Sequence, residues 1–236
     1  MLINLRNALM SGKRTPTAKD YVQSGLIAMW DGIENAGWGV HDASATVWKD
    51  LIGDRHLTLS GDAYFGDMFL RTSGNSRSYA SGGELLPAGL VVTVEVVVKL
   101  FDTSGNPNRF IFGFQPQTSA RTAVLVSRIL STSEPRIVCS GGGGQANVST
   151  SAQITEAQTS SFILPNIAAY QNGESSNAKA WGGDEGTNFQ SIIIGGTTWN
   201  YNTPIAGYNF RLYSRALNAE EIAANYRVDK ARFGLP

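Results

Sequence analysis

The chain has 236 residues, 42% apolar and 16% charged, a composition that buries a core and matches no disordered class. Lys and Arg total 19, as do Asp and Glu, so a net charge near zero gives no drive toward nucleic acid or an anionic membrane. One cysteine, Cys139, makes neither an intrachain disulfide nor a thiolate zinc site.

Residues 1–20 read as an N-terminal arm. Leu2, Leu5 and Leu9 fall on one helical face, and the basic stretch Ser11 to Thr17 follows. The arm is either a frayed terminus or an anchoring segment that orders on a partner through those leucines. The start, Met1 to Met10, has no secretory signal, and no run in the chain is long and apolar enough to span a bilayer. The expectation is synthesis in the cytoplasm and a final place on a virion or extracellular surface.

Residues 21–236 read as one β domain. Gly25 to Trp30 is a short apolar strand, Trp48 to Asp54 a strand end entering a turn, and Leu57 to Leu59 alternates. From Leu90 to Phe101 the even positions Val92, Val94, Val96, Val98 and Leu100 are all apolar, while Thr93, Glu95 and Lys99 alternate with them. This is period two with one buried face. Arg109 to Phe114, Ala123 to Val126 and Arg136 to Cys139 continue the pattern, and Gly141 to Gly144 form a loop. Cys139 reads as a small buried hydrophobe. Ile167 to Gln171 precedes Asn172-Gly173, a hairpin signal because both central residues of a type I′ turn need positive φ. Ser191 to Gly196 and Tyr208 to Tyr213 complete the strands. Asn218 and Glu221 make a capping box for one short C-terminal helix, whose face Ala219, Ile222, Ala223 and Tyr226 is expected on the sheet. Many short strands and one late helix predict an all-β, two-sheet antiparallel sandwich.

The order of these motifs resembles the concanavalin A-like lectin/glucanase superfamily, in its laminin-G-like branch. Ala169-Tyr170-Gln171-Asn172-Gly173, then Ile194-Gly195-Gly196, then Gly207 through Ile222 are similar to the hairpin, strand and strand-to-helix junction that end such domains. Gly25 to Trp30, Asp50 to Gly53 and Thr93 to Lys99 are similar to their opening strand, turn and central strand. The resemblance implies a jelly-roll sandwich, with Arg211 and Arg215 as structural residues. Ala28 to Gly37 and Val228 to Leu235 further resemble versions in phage and prophage proteins of gut bacteria.

Glycosidases of this superfamily resemble one another in an E-x-D-x-x-E strand with carboxylates alternating on one face. Here Glu95 stands alone, with Val97 two residues on. Asp184 and Glu185 are adjacent, which in a strand sends them to opposite faces. No G-x-S-x-G elbow accompanies His41 or His56. The expectation is therefore that the chain is not an enzyme. The family implies calcium as the one candidate cofactor, with Asp31, Glu34 and Asn35 as oxygen donors and Asp42 in the same loop.

Sugar binding needs an aromatic plate with directional polar groups beside it. Two clusters qualify. Trp38 stands with Asp31, Glu34, Asn35, His41 and Asp42; Trp181, Asp184 and Asn188 stand with Trp199, Asn200, Tyr201 and Asn202. Either cluster instead plugs a sandwich edge or a subunit interface. Trp30 and Trp48, in strand-like contexts, read as core. The expected function is a recognition module for glycan or a cell-surface polymer on a phage particle or appendage, acting as a homo-oligomer. The alternatives are a structural virion protein, a capsid decoration or fibre subunit docked to other virion proteins through its arm, and, third, a glycoside hydrolase.

Overall fold

A computed structural model describes residues 14–73, 79–82, 92–101, 108–115, 124–130, 135–141, 144–151, 156–164, 166–175, 179–180, 191–195 and 204–236. The elements in chain order are β1 (Leu26–Asp31), β2 (Val47–Trp48), β3 (Leu57–Ser60), β4 (Tyr64–Phe65), β5 (Leu70–Arg71), β6 (Tyr79–Gly82), β7 (Val92–Leu100), β8 (Asn108–Gln115) and β9 (Val124–Leu130). They continue with β10 (Pro135–Gly141), β11 (Gly144–Ser151), β12 (Gln158–Leu164), β13 (Asn166–Gln171), β14 (Glu174–Ser175), β15 (Lys179–Ala180), β16 (Ser191–Ile194), β17 (Ile205–Tyr213) and α1 (Ala219–Phe233).

Two antiparallel sheets form. The first runs β14-β13-β12-β7-β17-β5-β4, with β1 also on β17 and β15 on β13; the second runs β11-β10-β9-β8-β16-β6-β3-β2. Between them lie Val94, Val96, Val98 and Leu100 of β7 with Trp30, Trp48, Phe112, Phe162, Phe210 and Leu212. Trp48 meets Phe65 and Phe210 edge-on at 5.6 and 5.7 Å, the geometry that the ring quadrupoles favour. The two-sheet, all-β sandwich with one C-terminal helix is thus the fold.

The other face of β7 was expected at the surface, yet Thr93, Glu95 and Val97 are also fully buried. α1 and a short 3-10 turn at Ala18–Asp20 cover this face. The α1 capping box forms as read, with Asn218 and Glu221 closing it reciprocally, and Gly234 ends the helix at φ 69. The buried face differs from the expected stripe. Ile222, Asn225, Val228, Asp229, Arg232 and Phe233 point inward, and Ala219 is exposed. The cause is the sheet surface beneath. It carries Arg211 and Glu95, which require polar groups opposite them.

The Asn172-Gly173 turn has positive φ at both residues, 51 and 80, and joins Gln171 to Glu174 as paired neighbours. β11 and β12 carry little apolar signal and were not legible as strands. In β12 the outward Thr159 and Ser161 are buried by hydrogen bonds to Asp229 and Glu95, not by apolar packing. Ala18, within the segment read as an arm, is fully buried. Leu2, Leu5 and Leu9 lie outside the described residues.

Candidate functional site

Two buried arginines tie the helix to the sheet. Arg211, on β17, donates to Glu95 at 2.8 Å, to both oxygens of Asp229 at 2.7 and 2.8 Å, and to Asn209 at 3.0 Å. Asn225 of α1 donates to Glu95 and to the Tyr213 hydroxyl, and the Tyr21 hydroxyl donates to Asp229 at 2.8 Å. Burial alone would lower the pKa of Arg211, but Asp229 and Glu95 beside it raise it well above its ordinary value. Burial raises Glu95, against the opposing pull of Arg211. Glu95 is the one carboxylate of the central strand, and it lies beneath α1 as a structural partner.

Arg232 repeats the arrangement at the start of the loop that follows β1. It donates to the two oxygens of Asp31 at 2.5 and 3.1 Å and to Glu34 at 3.1 Å. Asp31 also accepts from the amides of Ile33 and Glu34 and from the Asn209 side chain. Glu34 accepts from the amides of Ala18 and Gly39. The Asn35 side chain clasps Asp42, donating to its carbonyl at 2.7 Å and accepting from its amide at 2.8 Å. The side-chain oxygens of Asp31, Glu34 and Asn35 thus face protein donors, and a calcium ion on Asp31 or Glu34 would have to displace a guanidinium.

These contacts anchor the base of a loop with an aromatic tip. The Val40 amide donates to the Gly37 carbonyl at 2.9 Å, and Gly39 turns the chain at φ 71, a conformation that glycine adopts without a Cβ clash. Trp38 stands at this tip, 39% exposed, beside Val40 at 51%. The Lys19 ammonium lies 5.3 Å from its ring centroid. His41 and Asp42 are exposed on the same loop. The Ser44 hydroxyl and amide hold the Asp42 carboxyl below its ordinary pKa, and His41 adds to this. The site therefore offers an indole plate, a cation, an imidazole and a carboxylate that stays ionised.

Of the residues expected at a ligand site, the loop brings together Trp38, His41 and Asp42. Asp31, Glu34 and Asn35 support the loop from beneath. Trp181, Asp184, Asn188, Trp199 and Tyr201 lie outside the described residues. His56 is half-buried and accepts the Asp50 amide at 3.1 Å through Nδ1. Trp30 and Trp48 are fully buried. Lys19 went unread because nothing in its local sequence joins it to a tryptophan 19 positions on.

No protein-family model matches the chain, and no curated protein matches its sequence. Solved structures do match in shape. A Trypanosoma rangeli sialidase in complex with sialic acid superposes with a TM-score of 0.64 at 15% identity, over 92% of this chain and 34% of that one. The same sialidase with 2,3-difluorosialic acid, a covalent intermediate, gives 0.63 at 14% identity, over 93% of this chain and 34% of that one. The binding domain of botulinum neurotoxin DC, in complex with rat synaptotagmin II, gives 0.64 at 12% identity, over 89% of this chain and 52% of that one. The chain thus spans about a third of the sialidases and about half of the toxin chain. The expectation that the chain is not an enzyme is corrected by these neighbours. Sandwiches of this shape occur within sialidases, so a missing E-x-D-x-x-E strand gives no ground for excluding catalysis. At these identities the likeness shows the fold, a β-sandwich consistent with the concanavalin A-like kind.

Proposed function

We propose that this chain is a carbohydrate-recognition domain that uses the Trp38 loop as its contact surface. The observation that carries the reading is the exposed Trp38 indole on a loop pinned from below by Glu34 and Asn35. A plate held in place loses little conformational freedom on binding, which favours affinity at a shallow site. Sugar C–H groups stack on the indole, while Asp42, His41 and Lys19 take hydroxyls or an acidic substituent. The toxin binding domain, in complex with rat synaptotagmin II, and the sialidase, in complex with sialic acid, support the reading as similar sandwiches in proteins that bind partners. Activity of a larger polypeptide on the glycan fits the same reading, because the sialidases are about three times the aligned length. A place on a phage particle or surface appendage, reached through the N-terminal arm, belongs to this proposal and rests on the sequence resemblance alone.

The test is a glycan array, sialylated glycans included, probed with the full chain and with Trp38→Ala. Selective binding by the parent and its loss in a folded variant is the expected result. Equal binding by both would remove Trp38 from the site, and no binding by either would overturn the proposal.

A further inference from the structure

A second platform lies on the outer face of the first sheet, on strands that α1 leaves open. Arg71 of β5 and Lys99 of β7 both pair with Ala206 of β17, from opposite sides. Cross-strand partners share a face of the sheet, so the two cations project together with only the Ala206 methyl between them. Tyr64 of β4 is the cross-strand partner of Arg71 on its other side, and Phe101 follows β7 two residues after Lys99, in the same alternation. The Arg71 guanidinium carbon sits 3.5 Å from the Phe101 ring centroid, and the Lys99 ammonium 5.5 Å from it. Tyr64 is 55% exposed and Phe101 43%.

This arrangement leaves a need unmet. Arg71 Nη1 is shut off from solvent and is the one buried side-chain polar atom, among the described residues, without a hydrogen-bond acceptor. Among the described residues, neither Arg71 nor Lys99 has a carboxylate partner there. Native structures rarely leave a buried donor in this state. An anionic oxygen reaches it when the 43% exposed Phe101 ring swings aside, and then supplies the acceptor and balances two cations.

We propose that Tyr64, Arg71, Lys99 and Phe101 form a binding site for a carboxylate-bearing saccharide, separate from the Trp38 loop. The two exposed rings offer plates to pyranose C–H faces, and the cations between them offer a charged clamp for the carboxylate. The backbone groups of β5 and β7 are spent on their ladders with β17, so a peptide gains no strand-addition bonds on this face. The site goes beyond the Trp38 reading and needs no contribution from it.

The full chain is titrated with hexagalacturonate, with its full methyl ester and with hexaglutamate. Hexagalacturonate binds, the uncharged ester binds at least tenfold more weakly, and hexaglutamate binds no better than the ester. Arg71→Met lowers uronate affinity at least fivefold. So does Phe101→Ser, which removes a ring 43% exposed at the sheet surface, in a variant whose fold is checked by a thermal melt. Trp38→Ala leaves uronate affinity unchanged. Absence of uronate binding, equal binding of hexaglutamate, or undiminished affinity in both platform variants would overturn the proposal. Loss of uronate binding in Trp38→Ala would merge the two sites and overturn it as well. Array binding that Trp38→Ala leaves undiminished, while uronate binding to the platform survives, would sink the Trp38 reading alone.

Discussion

Arg232→Met should be the most damaging single change to the Trp38 loop, although it lies far from it in sequence. The Arg232 side chain is 2% exposed, Asp31 is 0% and Glu34 is 10%. Methionine fills much of the volume but leaves two carboxylates facing each other without a cation. Breaking a buried pair from one side costs about 3–5 kcal/mol. Asp31 keeps the Ile33, Glu34 and Asn209 donors, and Glu34 keeps the Ala18 and Gly39 amides. The lower end applies, roughly 3 kcal/mol. For a chain of this size that corresponds to a Tm loss of about 6–12 °C. Arg232→Lys should lose part of this, because one ammonium does not reproduce a fork that serves two carboxylates. Urea denaturation and a thermal melt of the three proteins give the numbers. A deficit under about 1 kcal/mol for Arg232→Met would mean that the pair behaves as a surface salt bridge and that the loop is held by something else.

Further outcomes follow from other contacts. Gly32→Ala should destabilise by about 1–3 kcal/mol or more, because its Cβ would stand 2.2 Å from the Met68 carbonyl oxygen, a backbone atom that cannot swing away; a neutral result in a melt would contradict that packing. Glu221, held down to about 2 chiefly by its hydrogen bond to Arg215, has a folded pKa below its unfolded value. Its contribution is therefore present above about 4.5 and lost as pH falls toward about 2. Glu221→Gln should cost under about 1 kcal/mol at neutral pH, with the difference shrinking below that upper value; a difference that grows in acid would reverse the sign. Calcium or chelator should leave the melting temperature unchanged, since Asp31 and Glu34 hold Arg232; a calcium-dependent rise would reveal a bound cation by mass action.

The sandwich was legible because β7, β16 and β17 alternate or run apolar, and because Asn172-Gly173 and the Asn218–Glu221 box encode their turn and cap locally. The layer under α1 was not. Period-based reading assigns Asp229, Arg232 and Asn225 to the solvent face of a helix; Arg211 and Glu95 compensate the burial of Asp229 and Asn225, and Asp31 and Glu34 that of Arg232. The same limit shaped the site. Trp38, His41 and Asp42 are close in sequence and were read together, and the acids around them were read as a metal loop. Arg232, which donates to Asp31 and Glu34, lies almost 200 positions on and was not visible to any spacing argument. The Tyr64, Arg71, Lys99 and Phe101 platform was missed for a similar reason, since three strands meet there only through the β17 register.

The most direct test of the central claim follows the indole N–H resonances during titration with a glycan that binds. Five tryptophans give five signals, and single substitutions assign them. Trp30 and Trp48 donate to the Arg55 and Asp31 carbonyls inside the core and serve as internal controls. The account predicts that the Trp38 signal shifts with glycan concentration while those two stay fixed. A shift confined to Trp181 or Trp199, with Trp38 unmoved, would contradict it and move the site to the second cluster.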